Sequence, residues 1–280
     1  MSAQPENVLP LSVGKPTAAV VVVDPVTAER WLSRNSRNRK VRDAVVDQYA
    51  RDMATGRWQV TGEAIKFASD GSLLDGQHRL SAVVKSGVTV QMFVVRGLHP
   101  QSQGAMDTGS KRTASDVLDI AGEQNTSLIA AMTRLALTVQ VGRLGSRWQP
   151  SHAEITVFLA ENPEIRDFAA FARGVARRTD CPPAVVAYTT WIFSKIDPAA
   201  AREFWIAAAE KVGLSPGDPV IALTNRFAES RRNKVPLSQR ALLSVIYRAW
   251  NSRRAGKPMR LIKVNSNADG GGLIPIPDPR

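Results

Sequence analysis

The stretch Leu73-Leu74-Asp75-Gly76-Gln77-His78-Arg79-Leu80-Ser81-Ala82 decides how the first half of this chain is read. Upstream of it, Ile65-Lys66-Phe67 is a short run suited to a strand, Asp70-Gly71 is a hairpin turn, and Leu73-Leu74 is the next extended segment. Downstream, residues 78–85 take up helical spacing. Asp75-Gly76 therefore sits where a strand gives way to a helix. A glycine there lets backbone approach an anion closely, the first free N–H groups of a helix point towards it, and Arg79 has the planar fork that grips two phosphate oxygens. Asp-Gly is also one of the commonest turn dipeptides, so the pair alone carries little weight. The weight comes from Asp75, Gln77, His78 and Arg79 crowding between Leu74, Leu80, Ala82 and Val83, which read as buried.

Outward from that junction, residues 18–23 form a strand, Asp24-Pro25 opens a helix carrying Trp31-Leu32, and residues 41–54 form a second helix with Val45, Val46, Tyr49 and Met53 on its inner face. Residues 88–95 alternate as a further strand, and 97–110 form a loop. From Ala114 onward the pattern is helical: 115–121, 127–141, 151–159, 163–177, 183–195, 198–212 and 218–229, with Ser151-His152-Ala153-Glu154 as a capping box and Asp197-Pro198 as another helix start. The fold class expected is an α/β domain followed by an all-helical region. The divisions are an arm at 1–16, a phosphate-binding domain at 17–115, a basic helical domain at 116–264 and a flexible tail at 265–280, where Gly270-Gly271-Gly272 and three prolines lie.

The string Asp75-Gly76-Gln77-His78-Arg79 resembles the motif of the ParB/sulfiredoxin-like superfamily, in particular its DGQHR branch of phage ParB-like and DndB-like proteins. Its surroundings resemble that family too: Asn38-Arg39 ahead of a helix, Met53 to Trp58 closing it, Gly62-Glu63-Ala64-Ile65-Lys66-Phe67, and Asp107-Thr108-Gly109-Ser110-Lys111-Arg112-Thr113 after the motif. The likeness covers roughly residues 18–118. It implies a small α/β domain that binds a nucleoside triphosphate, ATP or CTP, with Mg²⁺. Members of the family differ in what they do with the nucleotide, so activity has to be argued from the site. Sulfur repair is excluded, because it needs a cysteine in the phosphate loop where Gln77 stands. The only cysteine, Cys181, lies before Pro182-Pro183 and reads as a small apolar residue.

On this reading Gly76, His78 and Arg79 contact the nucleotide phosphates, with His78 donating to the oxygen on which charge develops. Asp75 ligates a metal ion or acts as general base, and Gln77 orients a phosphate or water. Lys66, Asn38 and Arg39 are secondary phosphate contacts, Glu63 is a further candidate catalytic carboxylate, and Asp107 and Arg112 follow from the resemblance. Each has a plain alternative: Asp107 and Gly109 shape a turn, and Lys66 faces solvent.

The formal net charge is +12 and its placement is uneven. Residues 226–263 hold eleven Lys or Arg against one acid, Glu229, so this segment alone carries +10. Pro236 is read as opening a helix there, with Leu237, Ala241, Val245 and Ala249 on one line and Arg240, Ser244 and Arg248 at four-residue spacing on another; Arg253 and Arg254 follow near its end. A helix of this kind can lie along a phosphate backbone, so Arg240, Arg248, Arg253 and Arg254 are the expected nucleic-acid contacts. The alternative is that these cations complement the helix dipole and aid solubility. No base-reading motif is present.

The expected function is a nucleotide-binding ParB-like protein acting on or near DNA, an NTP hydrolase or phosphotransferase. The alternatives are a non-catalytic ParB-like DNA-binding regulator and a metal-dependent nuclease using Asp75, Glu63 and Asp107. DNA is the expected partner, association into a homodimer is left open, no membrane is involved, and the location expected is the cytoplasm, inside the host if the protein is phage-encoded.

Overall fold

The computed structural model describes residues 15–35, 41–105, 113–120, 122–263 and 274–280, and divides the chain into two compact units, 1–111 and 112–280. Fold class is as expected: a mixed α/β first unit and a helical second one.

In the first unit, β1 (Thr17–Val23), β2 (Ile65–Ala68), β3 (Leu73–Asp75) and β4 (Val90–Leu98) form one sheet in the order β1-β4-β2-β3. β4 pairs antiparallel with β1 and parallel with β2, and β3 returns antiparallel to β2 through the turn at Asp70-Gly71. The Asp70 carboxylate accepts from the Ser72 N–H and hydroxyl, which fixes that turn. The helices α1 (Pro25–Leu32), α2 (Asp43–Ala54) and α3 (Gln77–Ser86) supply the other layer. Alternate strand residues, Val23, Ile65, Phe67, Leu73, Met92 and Val94, meet Trp31, Val46, Met53, Leu80 and Val83 in a common core. The opposite alternation leaves Val20 and Val22 about half exposed, at 56% and 61%.

Sequence signals for these elements act as their physics demands. Asp24 accepts from the Thr27 N–H at 2.6 Å, and Pro25 occupies the first turn, where its missing N–H costs nothing. β4 is later and longer than the 88–95 expected, because its pairing with β1 continues to Arg96. Arg96 extends over the rings of Trp31 and Phe67, and burial, with the nearby Arg34 charge second, lowers its pKa.

The second unit holds α4 (Ala114–Ile120), α5 (Thr126–Gln140), α6 (His152–Glu161), α7 (Ile165–Ala176), α8 (Pro183–Ser194), α9 (Pro198–Glu210), α10 (Pro219–Arg232) and α11 (Gln239–Arg254). Its centre is aromatic. Phe193 stacks on Trp250 at 4.2 Å, Phe204 meets both edge-on, and Trp205 is fully buried with its indole N–H on the Thr189 hydroxyl. The capping box at Ser151 and Glu154 is formed in both directions. α11 starts after Ser238, whose hydroxyl accepts from the Ala241 N–H, so Ser238 and not Pro236 opens it. Cys181 is buried beside α8, and desolvation pushes its thiol pKa well above the ordinary range. Among the described residues, no helix is long and apolar enough to cross a membrane.

The stretch read as a flexible tail is corrected over its last seven residues. Residues 274–280 lie against α11 and are held there by hydrogen bonds, with Ile276 packed on the helical core.

Candidate functional site

Gly76 is the pivot between β3 and α3. Its φ of +104° is one that side-chain-bearing residues rarely adopt, and a Cβ there would meet the Ile65 side chain and stand 3.2 Å from Ile65 Cα. Glycine is therefore required on two grounds: the conformation and the closeness of β2. Gly76, as the N-cap of α3, offers no side chain of its own to the first turn.

The register of β2 and β3 places Lys66 directly opposite Asp75. Lys66 Nζ stands 3.2 Å from Asp75 Oδ2, and Arg79 Nη2, one helical turn beyond Asp75, stands 3.6 Å from the same oxygen. The other carboxylate oxygen accepts the Gly76 N–H at 2.6 Å. Two cations and one anion thus converge from a strand, a turn and a helix, leaving an excess of one positive charge. All three are only partly exposed: 25% for Lys66, 20% for Asp75 and 12% for Arg79.

Arg79 has a further task. Its guanidinium donates to the main-chain carbonyls of Glu63 and Ala64, at 2.9 Å for Ala64, which ties the start of β2 to α3. Two of its N–H groups are therefore committed to the fold, while Nη2 also stands near Asp75. Glu63 enters the site through its carbonyl, while its side chain is exposed. The catalytic use expected of that carboxylate has no geometric counterpart.

Gln77, at 5% exposure, is buried, and its carbonyl oxygen accepts from Asn35 Nδ2 at 2.9 Å. His78 Nε2 accepts the Arg42 N–H at 3.1 Å, so in the neutral ring the proton sits on Nδ1. Nε2 is thus engaged by the main chain and is not the donor to an oxyanion expected of His78. Asn35, Arg34 and Arg42 escaped sequence reading. Asn35 holds Gln77, the Arg34 carbonyl accepts the Leu73 N–H, and Arg42 orients His78. All three lie 36 to 42 residues from their partners, beyond the reach of local pattern.

Asn38, Arg39, Asp107 and Arg112 lie outside the described residues. Among the described residues, no cluster of three His, Cys, Asp or Glu side chains could hold a metal ion. Asp75 is the shared counter-ion of the Lys66 and Arg79 cations.

The four arginines expected to contact nucleic acid behave differently from one another. Arg253 pairs with both oxygens of Asp218 at 3.1 and 3.2 Å, and Arg254 pairs with Asp197 at 2.9 Å while lying over the Trp250 ring. Asp218 and Asp197 are also the N-caps of α10 and α9, so these two arginines brace helix starts. Arg240 and Arg248 donate to main-chain carbonyls: Arg240 to Leu144 and Ile274, both at 3.4 Å, and Arg248 to Lys263 at 2.8 Å. Comparison with family models, with curated proteins and with solved structures finds no match to this chain.

Proposed function

We propose that the chain is a nucleotide-binding ParB-like protein whose phosphate site is built by Lys66, Asp75, Gly76, Gln77, His78 and Arg79, and that it acts on or near DNA. The observation that carries this reading is the convergence of Lys66 and Arg79 on a single carboxylate beside a helix start whose conformation requires glycine. An incoming phosphate would exchange with Asp75 for the two cations. It would gain charge-assisted bonds from Lys66 Nζ and the free edge of the Arg79 fork, with the α3 dipole favouring its charge. Asp75, released from its pairs, would then be available to a Mg²⁺ ion accompanying the nucleotide or to a hydroxyl proton. In this scheme hydrolysis or phosphoryl transfer follows binding.

A regulator that binds nucleotide without consuming it is the second reading. It is favoured by Arg79, which spends two donors on the carbonyls of Glu63 and Ala64 and so couples phosphate binding to the position of β2. The test is nucleotide binding and product release with ATP, CTP and GTP in the presence of Mg²⁺, comparing the wild type with Lys66→Ala, Arg79→Ala and Asp75→Asn. Lys66→Ala should weaken binding roughly tenfold, the worth of one charge-assisted contact. Turnover abolished by Asp75→Asn with binding retained identifies the enzyme; binding without turnover in the wild type identifies the regulator. No binding of any nucleotide by the wild type rejects both.

A further inference from the structure

One face of α11 is a ladder of donors pointed at main-chain carbonyls. Arg240 donates to Ile274, Ser244 to Pro275 at 2.7 Å, Arg248 to Lys263, and Asn251 to Asp278 at 2.8 Å, while Asn251 Oδ1 accepts the Arg280 N–H at 2.8 Å. Positions 240, 244, 248 and 251 share a face; the partners of 240, 244 and 251 advance along residues 274–280 in the same direction as the helix, while Arg248 is held by Lys263, outside that segment. Lengths agree. α11 rises about 16.5 Å from Arg240 to Asn251, and six residues of extended chain cover about 19 Å. Pro275, Pro277 and Pro279 suit this role, since they hold the backbone extended and have no N–H that would need a partner of its own. Ile276 is the one side chain of the segment that packs on the helical core.

This face is the one that carries the basic helix's two guanidinium groups without a carboxylate partner among the described residues, Arg240 and Arg248. Arg226, Arg231, Arg253 and Arg254, in contrast, are each paired with an acid. We propose that the α11 face is a surface for a nucleic-acid phosphate backbone, and that residues 274–280 are a strap that occupies it in cis. The strap takes donors of Arg240, Ser244 and Asn251 that phosphate oxygens would use, beside Arg248, and lays Asp278 along the same helix. Strap and polyanion therefore compete for Arg240 and the polar groups below it. The inference rests on the DNA-binding half of the function proposed above and is independent of nucleotide binding.

The strap is held by a few partly exposed hydrogen bonds and one half-buried isoleucine, so single changes should release it. Binding of a short fluorescein-labelled duplex DNA by the full-length protein, followed by anisotropy over a range of salt concentrations, tests the competition. Ile276→Asp removes the strap's apolar anchor, and Asn251→Ala removes two of its hydrogen bonds from the helix side without disturbing the core. Both should tighten DNA binding, by roughly tenfold for Ile276→Asp, and should steepen the dependence of log K on log salt by about 0.9, the value for one added phosphate contact, at Arg240. Adding Arg240→Ala to Ile276→Asp should abolish the steepening. Hydrogen exchange at the Arg280 amide reports whether the strap has come off. Wild-type DNA binding that a released strap leaves unchanged, or a steepening that survives loss of Arg240, overturns the strap but leaves the DNA reading standing. No DNA binding by wild type or released protein overturns both.

Discussion

The two units place their cations under different constraints. In the first, Lys66 and Arg79 arrive from a strand and a helix at one carboxylate, and the cluster keeps one positive charge in excess. In the second, far more charge is present, but it is spread along α10, α11 and the residues that follow. Arg253 and Arg254 brace the caps of neighbouring helices, and Arg240 and Arg248 hold main-chain carbonyls. Net charge counts cations without asking what each one touches. The contrast teaches that convergence on one point, with a counter-ion that can be exchanged, distinguishes a candidate anion site from a basic surface more sharply than the total does.

The largest effect that would break this contrast concerns the pivot of the first cluster. Gly76→Ala forces a side chain into a left-handed conformation against Ile65, and should destabilise the first unit by about 3 kcal/mol. Gly87→Ala, also at positive φ but with open space around it, should cost about 1 kcal/mol. Urea unfolding followed by circular dichroism compares them, and equal losses would remove the steric argument.

A smaller change should sharpen the electrostatic one. Asp75→Asn leaves Lys66 and Arg79 without their shared counter-ion, so inorganic pyrophosphate should bind roughly tenfold more tightly, an effect calorimetry can read. Weaker binding would mean that Asp75 itself supports the ligand.

On the other side of the comparison, Arg253→Met keeps the apolar stem but loses the pair with Asp218. A cost of about 1 kcal/mol is expected, discounted for the partial exposure of the pair. Arg248→Met should stay within about 0.5 kcal/mol, since its single carbonyl contact is exposed. Reversal of that order by thermal unfolding would make Arg248 the structural cation.

The smallest effect expected is pH-dependent. Arg166 hydrogen-bonds the Glu123 carboxylate through Nε at 2.9 and 3.0 Å and holds its pKa below the ordinary value, with the opposing effect of burial second. A depressed folded pKa contributes stability above the unfolded pKa and loses it as pH falls through the folded value. The stability gap between wild type and Glu123→Gln should therefore be widest near neutral pH, at roughly 0.5 kcal/mol after allowance for exposure, and should close below the ordinary carboxylate range. Denaturant midpoints across an acid series measure it.

Much of the scaffold around the cluster is legible from local chemistry. Asp24-Pro25, Asp197-Pro198 and Ser151 with Glu154 mark helix starts because side chain and backbone meet within three residues. The Asp75-Gly76 junction is readable for the same reason, its geometry being set by one glycine between a strand and a helix. What sequence reading misses is long-range. The Asn35–Gln77 bond spans 42 residues, and the pairs of Arg253 and Arg254 span 35 and 57. The last residues read as tail because proline and glycine enrichment signals no regular structure. Their carbonyls are instead satisfied by side chains of a helix some thirty residues earlier, about which composition is silent.

The sheet order has a consequence for how the first unit is made. β1 pairs with β4 from Thr17 opposite Arg96 to Val23 opposite Val90, so its partner emerges from the ribosome long after it does. Until then the run Val20-Val21-Val22-Val23 is an apolar, β-prone segment with an open edge, the kind most prone to wrong pairing during synthesis. The antiparallel β2–β3 hairpin and α3 close over short loops and can form first. β1 is therefore the first piece of its sheet to be translated, yet it cannot pair until β4 has been made.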